Sequence, residues 1–174
     1  MILTAPPMNA TGTTSPASTR TFWAWFVATF AGSGFLRPGP GSWTSAFTVL
    51  IWYLLVRNQS ASYAHLVAFG GAIAATLIGI PAATVVARES QIKDPGFVVI
   101  DEVAGQLLPL ILAPAGWKYL FLSFILFRCF DIVKPPPLRR LELLPEGIGI
   151  MLDDIGAGIY ALLVLYLLLH FKIL

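Results

Sequence analysis

An uncharged stretch of 26 residues, from Ser62 to Ala87, is the feature that most restricts what this chain can fold into. A helix needs about 20 apolar residues to cross roughly 30 Å of hydrocarbon. The stretch is therefore long enough to span a bilayer, even with tilt and a bend at Pro81. Only 11% of the 174 residues are charged, against about a quarter in an average soluble domain. The bilayer is the expected solvent for this chain.

Five more apolar segments are separated by polar, glycine-rich or proline-rich links. They are residues 22–31, 43–56, 97–113, 117–130 and 148–171. Lipid cannot satisfy the backbone groups of an open strand, so the sequence predicts an all-α, multi-helical integral membrane bundle of about five to six helices. The segment 22–31 is short for a crossing and is expected to be an interfacial or partly inserted helix, and the sequence leaves open whether 22–31 and 43–56 span completely. Four aromatic rings near segment ends are expected at headgroup level: Trp43, Trp52, Trp117 and Tyr119.

Composition also limits the domain organisation and the partners. Residues 1–20 are rich in Thr, Ser, Pro and Ala and are expected to form a flexible tail, with residues 21–174 as the membrane-embedded domain. The formal charge of +2 is too small for a nucleic-acid-binding surface. The single cysteine, Cys129, excludes a disulfide framework and a cysteine-based zinc site. The expected partners are the membrane and a lipid, and the oligomeric state is left open.

The positions of the basic residues predict an orientation. If 43–56 pairs with 62–87, and 97–113 pairs with 117–130, every long connection falls on one face of the membrane. Eight basic residues map to that face and three to the opposite one. By the positive-inside rule, the face with the long loops and the adjoining helix ends is cytoplasmic.

Five acidic residues lie inside or beside the apolar segments and are predicted to meet at this face. Carboxylates near hydrocarbon are costly and usually mark function, and like charges that gather without a cation destabilise one another. Because the chain lacks a set of nitrogen or sulfur ligands, the expected ion is Mg²⁺, which binds carboxylates, waters and substrate phosphate oxygens. The five residues are Asp101, Glu102, Asp131, Asp153 and Asp154.

A plainer interpretation treats the same acids as solvated helix ends. In that case they pair with Arg128 or Arg139, and Asp153 and Asp154 merely favour a helix N-terminus electrostatically. Each acid taken singly fits this interpretation. All five taken together favour a shared metal ion.

Two further features are typical of phosphate binding. Residues 32–45 contain four glycines, which let the backbone aim several N–H groups at an anion. Ser42, Thr44 and Ser45 are added donors just before a helix start, and Ser42 is alternatively a helix N-cap. Lys134 follows Asp131 at i+3, so it either pairs with that acid or offers its ammonium group to a phosphoryl oxygen. The predicted phosphate contacts are Gly32, Ser33, Gly34, Gly41, Ser42 and Lys134.

Four blocks of sequence carry these residues: GSGFLRPGPGSWTSAF, DPGFVVIDEVAGQ, FRCFDIVKPPPLRR and GIGIMLDDIGAG, within residues 32–158. In this order they resemble the phosphatidylglycerophosphatase A family of membrane-associated, Mg²⁺-dependent lipid phosphatases. One departure lies in the glycine-rich block, where the family usually reads P-G-T-x-G-S and this chain has Thr44 in place of the second glycine.

The resemblance implies removal of the terminal phosphate of phosphatidylglycerophosphate to leave phosphatidylglycerol, in phospholipid biosynthesis at the bacterial inner membrane. It assigns the metal and catalytic roles to the five acids and the basic phosphate contact to Lys134. The sequence leaves open whether Glu102 is a ligand or the base that activates water, and whether water or a carboxylate is the nucleophile. The alternatives are a phosphatase of another lipid phosphate, or a small ion or proton transporter that uses intramembrane carboxylates. Cys129, His65 and His170 are not expected to be catalytic.

Overall fold

The computed structural model describes residues 20–173, so the predicted tail lies almost entirely outside the described residues. Within this range the chain forms seven α-helices and a single 3-10 turn at Ser33–Phe35, with no strand. The all-α prediction is confirmed. The six predicted segments each contain a helix, and a four-residue helix, α6, is added. The helices are α1 (Phe22–Ala28), α2 (Pro40–Val56), α3 (Ala61–Ser90), α4 (Ile100–Leu110), α5 (Trp117–Val133), α6 (Leu138–Leu141) and α7 (Glu146–His170).

Among the described residues, two helices, α3 and α7, are long and apolar enough to cross a membrane. Small side chains form their inward faces, such as the stripe Ala64, Ala68 and Ala72 on α3. Large apolar side chains such as Leu77 and Leu163 point outward and are more than half exposed. Small residues let helices approach closely in lipid, while a continuous exposed apolar surface is typical of membrane contact. This distribution is compatible with a membrane protein.

Helix α4 lies at the centre of the bundle, packed against α2, α3, α5 and α7. Nine of its eleven residues are buried. At 1.5 Å per residue it is about 16 Å long, so it is an interior helix and is too short to cross a bilayer. Its first turn carries Asp101 and Glu102, and its burial fixes both acids inside the bundle.

A close crossing of α4 and α7 brings further acids to this place. A Cβ atom on Gly105 would lie 2.6 Å from the carbonyl oxygen of Asp154, and one on Gly158 would collide with the carbonyl oxygen of Gly105. Only glycine allows backbones to approach this closely. The crossing therefore sets Asp154 beside the acids that begin α4.

Helix α1 is held at the C-terminal end of α3 by the carboxylate of Glu89. That carboxylate accepts hydrogen bonds from the Thr21 backbone N–H (3.0 and 3.1 Å), the Thr21 hydroxyl (2.5 Å) and the Trp25 indole N–H (2.7 Å). With seven residues, α1 is too short to cross a bilayer, as the sequence predicts for this segment. Its Phe22, Trp23 and Phe26 side chains are largely exposed.

The prediction that Trp52 lies at headgroup level is wrong. Trp52 is 1% exposed and its indole N–H donates to the carbonyl oxygen of Ala64 at 3.3 Å. The ring faces α3 because it continues the buried stripe of α2. Trp117, by contrast, is 82% exposed.

Candidate active site

Three of the five predicted acids form one buried cluster, which we call the carboxylate cluster: Asp101 and Glu102 from α4, and Asp154 from α7. One carboxylate oxygen from each lies within 4.8 Å of the others. Asp101 is 9% exposed and Asp154 is 3% exposed. Their sequence separation of about fifty residues is closed by the glycine crossing of α4 and α7.

Each acid of the carboxylate cluster keeps an oxygen without a protein partner. Asp101 Oδ1, Glu102 Oε2 and Asp154 Oδ2 are buried and accept no hydrogen bond within the described residues. A buried, unpaired carboxylate oxygen is costly, and three together repel one another. An all-oxygen donor set of this kind fits a hard divalent cation such as Mg²⁺. These three residues could hold the ion that the resemblance implies.

The fourth acid, Asp131, faces the same cluster but pairs with a cation from its own helix. The Arg128 guanidinium lies 2.8 Å from Asp131 Oδ2 and 3.8 Å from Glu102 Oε1, and all three side chains are about 15% exposed or less. Arg128 therefore bridges α4 and α5. The plainer interpretation, in which acids pair with Arg128, is confirmed for Asp131 but accounts for only part of the charge.

The fifth acid, Asp153, pairs with Lys134. The Lys134 ammonium donates to Asp153 Oδ2 at 2.6 Å and also to Glu142. Burial alone would lower the pKa of Lys134, but the two hydrogen bonds to these carboxylates outweigh burial and raise the pKa above its ordinary value. Lys134 is therefore a fixed positive charge at the edge of the site.

The expected pairing of Lys134 with Asp131 is not formed. Lys134 ends α5 in the left-handed region, at φ 46°, directly before Pro135. A residue before proline is disfavoured in the helical conformation, so the chain leaves the helix here. The side chain then points toward α7 and away from the Asp131 face.

The interpretation of Asp153 and Asp154 as simple helix N-terminal acids is wrong. Helix α7 begins at Glu146, two turns before these residues, and the helix dipole acts mainly within the first turn. Both side chains are buried. Asp101 and Glu102, predicted to stand one turn into a helix, instead lie in the first turn of α4 because the chain becomes helical only at Ile100.

The glycine-rich block divides into a turn and a helix start. The backbone N–H groups of Gly32, Ser33 and Gly34 donate to backbone carbonyls within the turn, so in this conformation they are not free to cradle an anion. Ser42 is not an N-cap, since α2 begins at Pro40 after Gly39 and has no side-chain cap. Ser42 lies in the first turn of α2, and its role as a phosphate contact stays a prediction.

Gly41 lies directly against the carboxylate cluster. A Cβ atom on Gly41 would collide with Glu102 Oε1 and lie 3.1 Å from Arg128 Nη1. The glycine is therefore the wall of the site on the α2 side. Its position brings the first and second sequence blocks together.

Sequence reasoning gave no site role to three polar residues of this region. Arg128 entered only as a neutralising partner, although an arginine at i−3 from Asp131 in an otherwise apolar helix is a signal for a shared role. Gln106 is fully buried inside a quoted block, and Glu142 binds Lys134 from the loop after α6. Ser45, predicted as a further phosphate donor, is fully buried. In all, six carboxylates meet two cations here, which strengthens the case for a bound cation.

Known proteins are similar to this chain over the region that contains these acids. A model of the family described as phosphatidylglycerophosphatase A matches residues 26–169. A Haemophilus influenzae protein named phosphatidylglycerophosphatase A is 36% identical over 138 residues, covering 78% of this chain and 82% of the relative. The Escherichia coli protein of the same name is 31% identical over 141 residues, covering 80% and 79%.

A third relative carries a different name. The Bacteroides thetaiotaomicron protein named "Putative phosphatidylinositol-3-phosphatase" is 32% identical over 142 residues, covering 80% of this chain and 89% of its own. No solved structure was found to match the chain. The matched region contains every acid of the site, and on this match the chain belongs to the phosphatidylglycerophosphatase A family.

Proposed function

We propose that this chain is a Mg²⁺-dependent lipid phosphatase that hydrolyses the terminal phosphate monoester of phosphatidylglycerophosphate to phosphatidylglycerol and inorganic phosphate, in phospholipid biosynthesis. The family match supports the reaction. The observation that carries the rest is the carboxylate cluster, three largely buried acids from α4 and α7 with oxygens within 4.8 Å of one another. The excess negative charge of this cluster would repel a phosphate group unless a cation is bound first.

Asp101, Glu102 and Asp154 would hold the Mg²⁺ ion. When bound, such an ion acts as a Lewis acid toward phosphoryl oxygens and lowers the pKa of bound water. Asp131 and Asp153 stand one position outside, each tied to a cation. We expect them to orient Arg128 and Lys134 rather than to bind the metal directly.

Arg128 and Lys134 provide the positive charge for the phosphate. The guanidinium is planar and suits two phosphoryl oxygens, whereas the ammonium acts as a point charge. Both are held by buried or half-buried acids, so their positions are set before substrate binds. Stabilising the charge that develops on phosphoryl and leaving-group oxygens is usually the largest catalytic term.

We assign the role of general base to Glu102. Its Oε1 faces Arg128 and Gly41, while Oε2 has no protein partner. An unpartnered carboxylate oxygen can accept a proton from an attacking water molecule. Asp101 and Asp154 are the alternative bases. Substituting each of the three acids in turn tests which one acts as the base.

The site opens at the end of the bundle from which α2, α4 and α7 start their passage. Exposed apolar surface surrounds the helices beside it. We propose that this end faces the cytoplasm from the bacterial inner membrane, because eight of the eleven basic residues map to it by sequence. The acyl chains of a lipid would stay in the leaflet while the phosphate meets the acids.

Phosphate release from purified protein in detergent tests the proposal. The protein should release phosphate from phosphatidylglycerophosphate in the presence of Mg²⁺. Phosphate release should stop after chelation with EDTA and resume when Mg²⁺ is restored. Wild-type protein that shows no hydrolysis with Mg²⁺ would contradict the proposal. Ion flux in liposomes without phosphatase activity would support the transporter instead.

A second substrate deserves a parallel assay because of the name of the Bacteroides relative. Phosphatidylinositol 3-phosphate presents the same phosphate monoester on a bulkier, ring-shaped headgroup. The ratio of kcat/KM for the two lipids measures the preference. If the ratio favours the inositol lipid, the proposed metal chemistry stands and the proposed substrate changes to the inositol lipid.

A further inference from the structure

Two buried polar side chains lack a role in the fold. The buried uncharged polar residues elsewhere in the bundle are paired, as for Ser123, whose hydroxyl donates to the carbonyl oxygen of Leu120 at 2.8 Å, and Thr48, whose hydroxyl donates to that of Thr44 at 2.9 Å. Ser45 and Gln106 differ. Both are 0% exposed, yet Ser45 Oγ and both amide atoms of Gln106 have no partner within the described residues.

Buried polar groups without hydrogen-bond partners destabilise the folded protein. A buried polar group that loses its hydrogen bonds costs about 1–3 kcal/mol. A leucine or methionine would fill the Gln106 position without that cost. A partner that is not part of the chain must therefore satisfy the amide.

The spacing of the two residues along α2 and α4 places each of them one helical turn beyond the carboxylate cluster. Gln106 follows Glu102 at i+4 on α4, and Ser45 follows Gly41 at i+4 on α2. Gly41 touches the Glu102 carboxylate, and α2 packs against α4. Because both helices start at the acid end, one turn further along each brings Ser45 opposite Gln106.

The chemistry of the pair identifies the missing partner. An amide offers two donors and an acceptor, and a hydroxyl offers a donor and an acceptor. An anion such as phosphate would leave the Gln106 carbonyl oxygen unpaired and repelled, and a metal ion would leave the amide N–H groups unpaired. Water satisfies both kinds of group, and buried water commonly makes about three hydrogen bonds.

We propose that Ser45 and Gln106 hold ordered water beneath the carboxylate cluster, and that this water links the Gln106 amide to the unpartnered Oε2 of Glu102. Gln106 is then a positioning residue that fixes the orientation of the Glu102 carboxylate. The catalytic consequence rests on the proposed phosphatase function. The water site itself does not.

The first measurement detects the water without any reaction. The chain contains three glutamines, Gln59, Gln91 and Gln106, so ¹⁵N-glutamine labelling gives three side-chain amide signals. Gln59→Ala and Gln91→Ala assign the remaining signal to Gln106. Water-edited solid-state NMR in lipid should show transfer from a bound water molecule to the Gln106 amide. Lack of transfer to this buried amide would overturn the proposal.

The second measurement uses Gln106→Met, which keeps the volume and removes the amide. Mn²⁺ binding, followed by electron paramagnetic resonance, should weaken about tenfold, since partners behind a ligand are typically worth 10- to 100-fold in metal affinity or activity. The kcat for phosphatidylglycerophosphate should fall by a similar factor with KM within about twofold. The Tm should change little, because methionine keeps the buried volume and the water leaves together with the amide that binds it. An unchanged Mn²⁺ affinity together with an unchanged kcat would overturn the proposal.

Two serine variants give the matched comparison. Ser45→Ala should weaken Mn²⁺ binding as Gln106→Met does, and Ser123→Ala, which removes an equally buried but paired hydroxyl, should leave it unchanged. Equal effects of both would indicate general loosening of the bundle and contradict the proposal. If wild-type protein fails to hydrolyse the lipid while the NMR and Mn²⁺ results stand, only the phosphatase function is lost.

Discussion

At the scale of single residues, the site depends on how side chains divide the charge among them. Asp101, Glu102 and Asp154 converge on one another, whereas Asp131 and Asp153 are each closely paired with a cation. Five acids that look alike in sequence therefore take two different roles. The division arises from the helix faces on which they stand.

Asp154→Asn should remove a metal ligand while preserving the shape of the side chain. We expect kcat to fall by at least about 100-fold, since a metal ion contributes several kcal/mol to such a reaction, and Mn²⁺ binding to weaken in parallel. Phosphate release and Mn²⁺ titration measure both. The matched control is Asp94→Asn, an exposed acid outside the cluster. Wild-type turnover in Asp154→Asn would remove this residue from the site.

Gly41→Ala tests the wall of the site on the α2 side. The new methyl group would meet Glu102 Oε1, so the carboxylate must turn aside. We expect an activity loss of about 10- to 100-fold with little change in Tm. Gly96→Ala, where a Cβ atom would meet nothing within 4 Å, should keep full activity. Equal activity in both variants would mean that Glu102 tolerates displacement.

At the scale of helices, packing decides which sequence predictions succeed. The apolar segments predict helices because hydrophobic runs and breaking Pro and Gly residues are local signals. The close meeting of α4 and α7 is not local, since it depends on Gly105 and Gly158 fitting each other across the bundle. Lys134 shows the same limit, because its i+3 spacing predicts a pair with Asp131 that the turn before Pro135 prevents.

Gly158→Ala tests this crossing. Its methyl group would meet the backbone carbonyl of Gly105, which cannot move independently of α4. Overpacking of this kind typically costs about 1–3 kcal/mol, so Tm in detergent should fall clearly. Gly70→Ala, in the outward face of α3 where a Cβ atom meets nothing within 4 Å, should leave Tm unchanged or raise it, since alanine favours helix. An unchanged Tm in Gly158→Ala would contradict the crossing.

The attachment of α1 to α3 gives another prediction at this scale. Glu89→Gln removes the charge that accepts from Thr21 and Trp25. Charge-assisted hydrogen bonds are the stronger ones, so hydrogen exchange in residues 22–28 should speed up while exchange in α7 stays as in wild type. Ser90→Ala, a neighbour whose hydroxyl serves only its own helix, is the control. Equal protection of α1 in Glu89→Gln would show that apolar packing alone holds it.

At the scale of the whole molecule, the prediction concerns orientation in the membrane. In a Cys129→Ser background, a cysteine at position 139 should react with an impermeant thiol reagent only from the cytoplasmic side, and a cysteine at position 57 only from outside. The excess of basic residues on the long-loop face is the physical reason. Labelling of position 139 in intact cells from outside would reverse the orientation.

Much of the whole molecule could be anticipated from the sequence, but its centre could not. Charge content and segment length predict the bilayer and the helical bundle, and the four blocks predict the acids. The burial of Trp52 and the position of Gln106 were not predicted, because burial against a neighbouring helix is not visible in the local sequence pattern. The function of such residues depends on what lies across the helix interface.

The burial of α4 on all sides has a consequence for turnover. Asp101 and Glu102 lie on a helix that is packed against four neighbouring helices and cannot shift without them. The geometry of the two acids is therefore preorganised before a lipid binds. A flexible loop would have to be frozen afresh in every catalytic cycle, at an entropic cost. Here that ordering happens once, when the chain folds, and the acids of α4 need no further ordering during turnover.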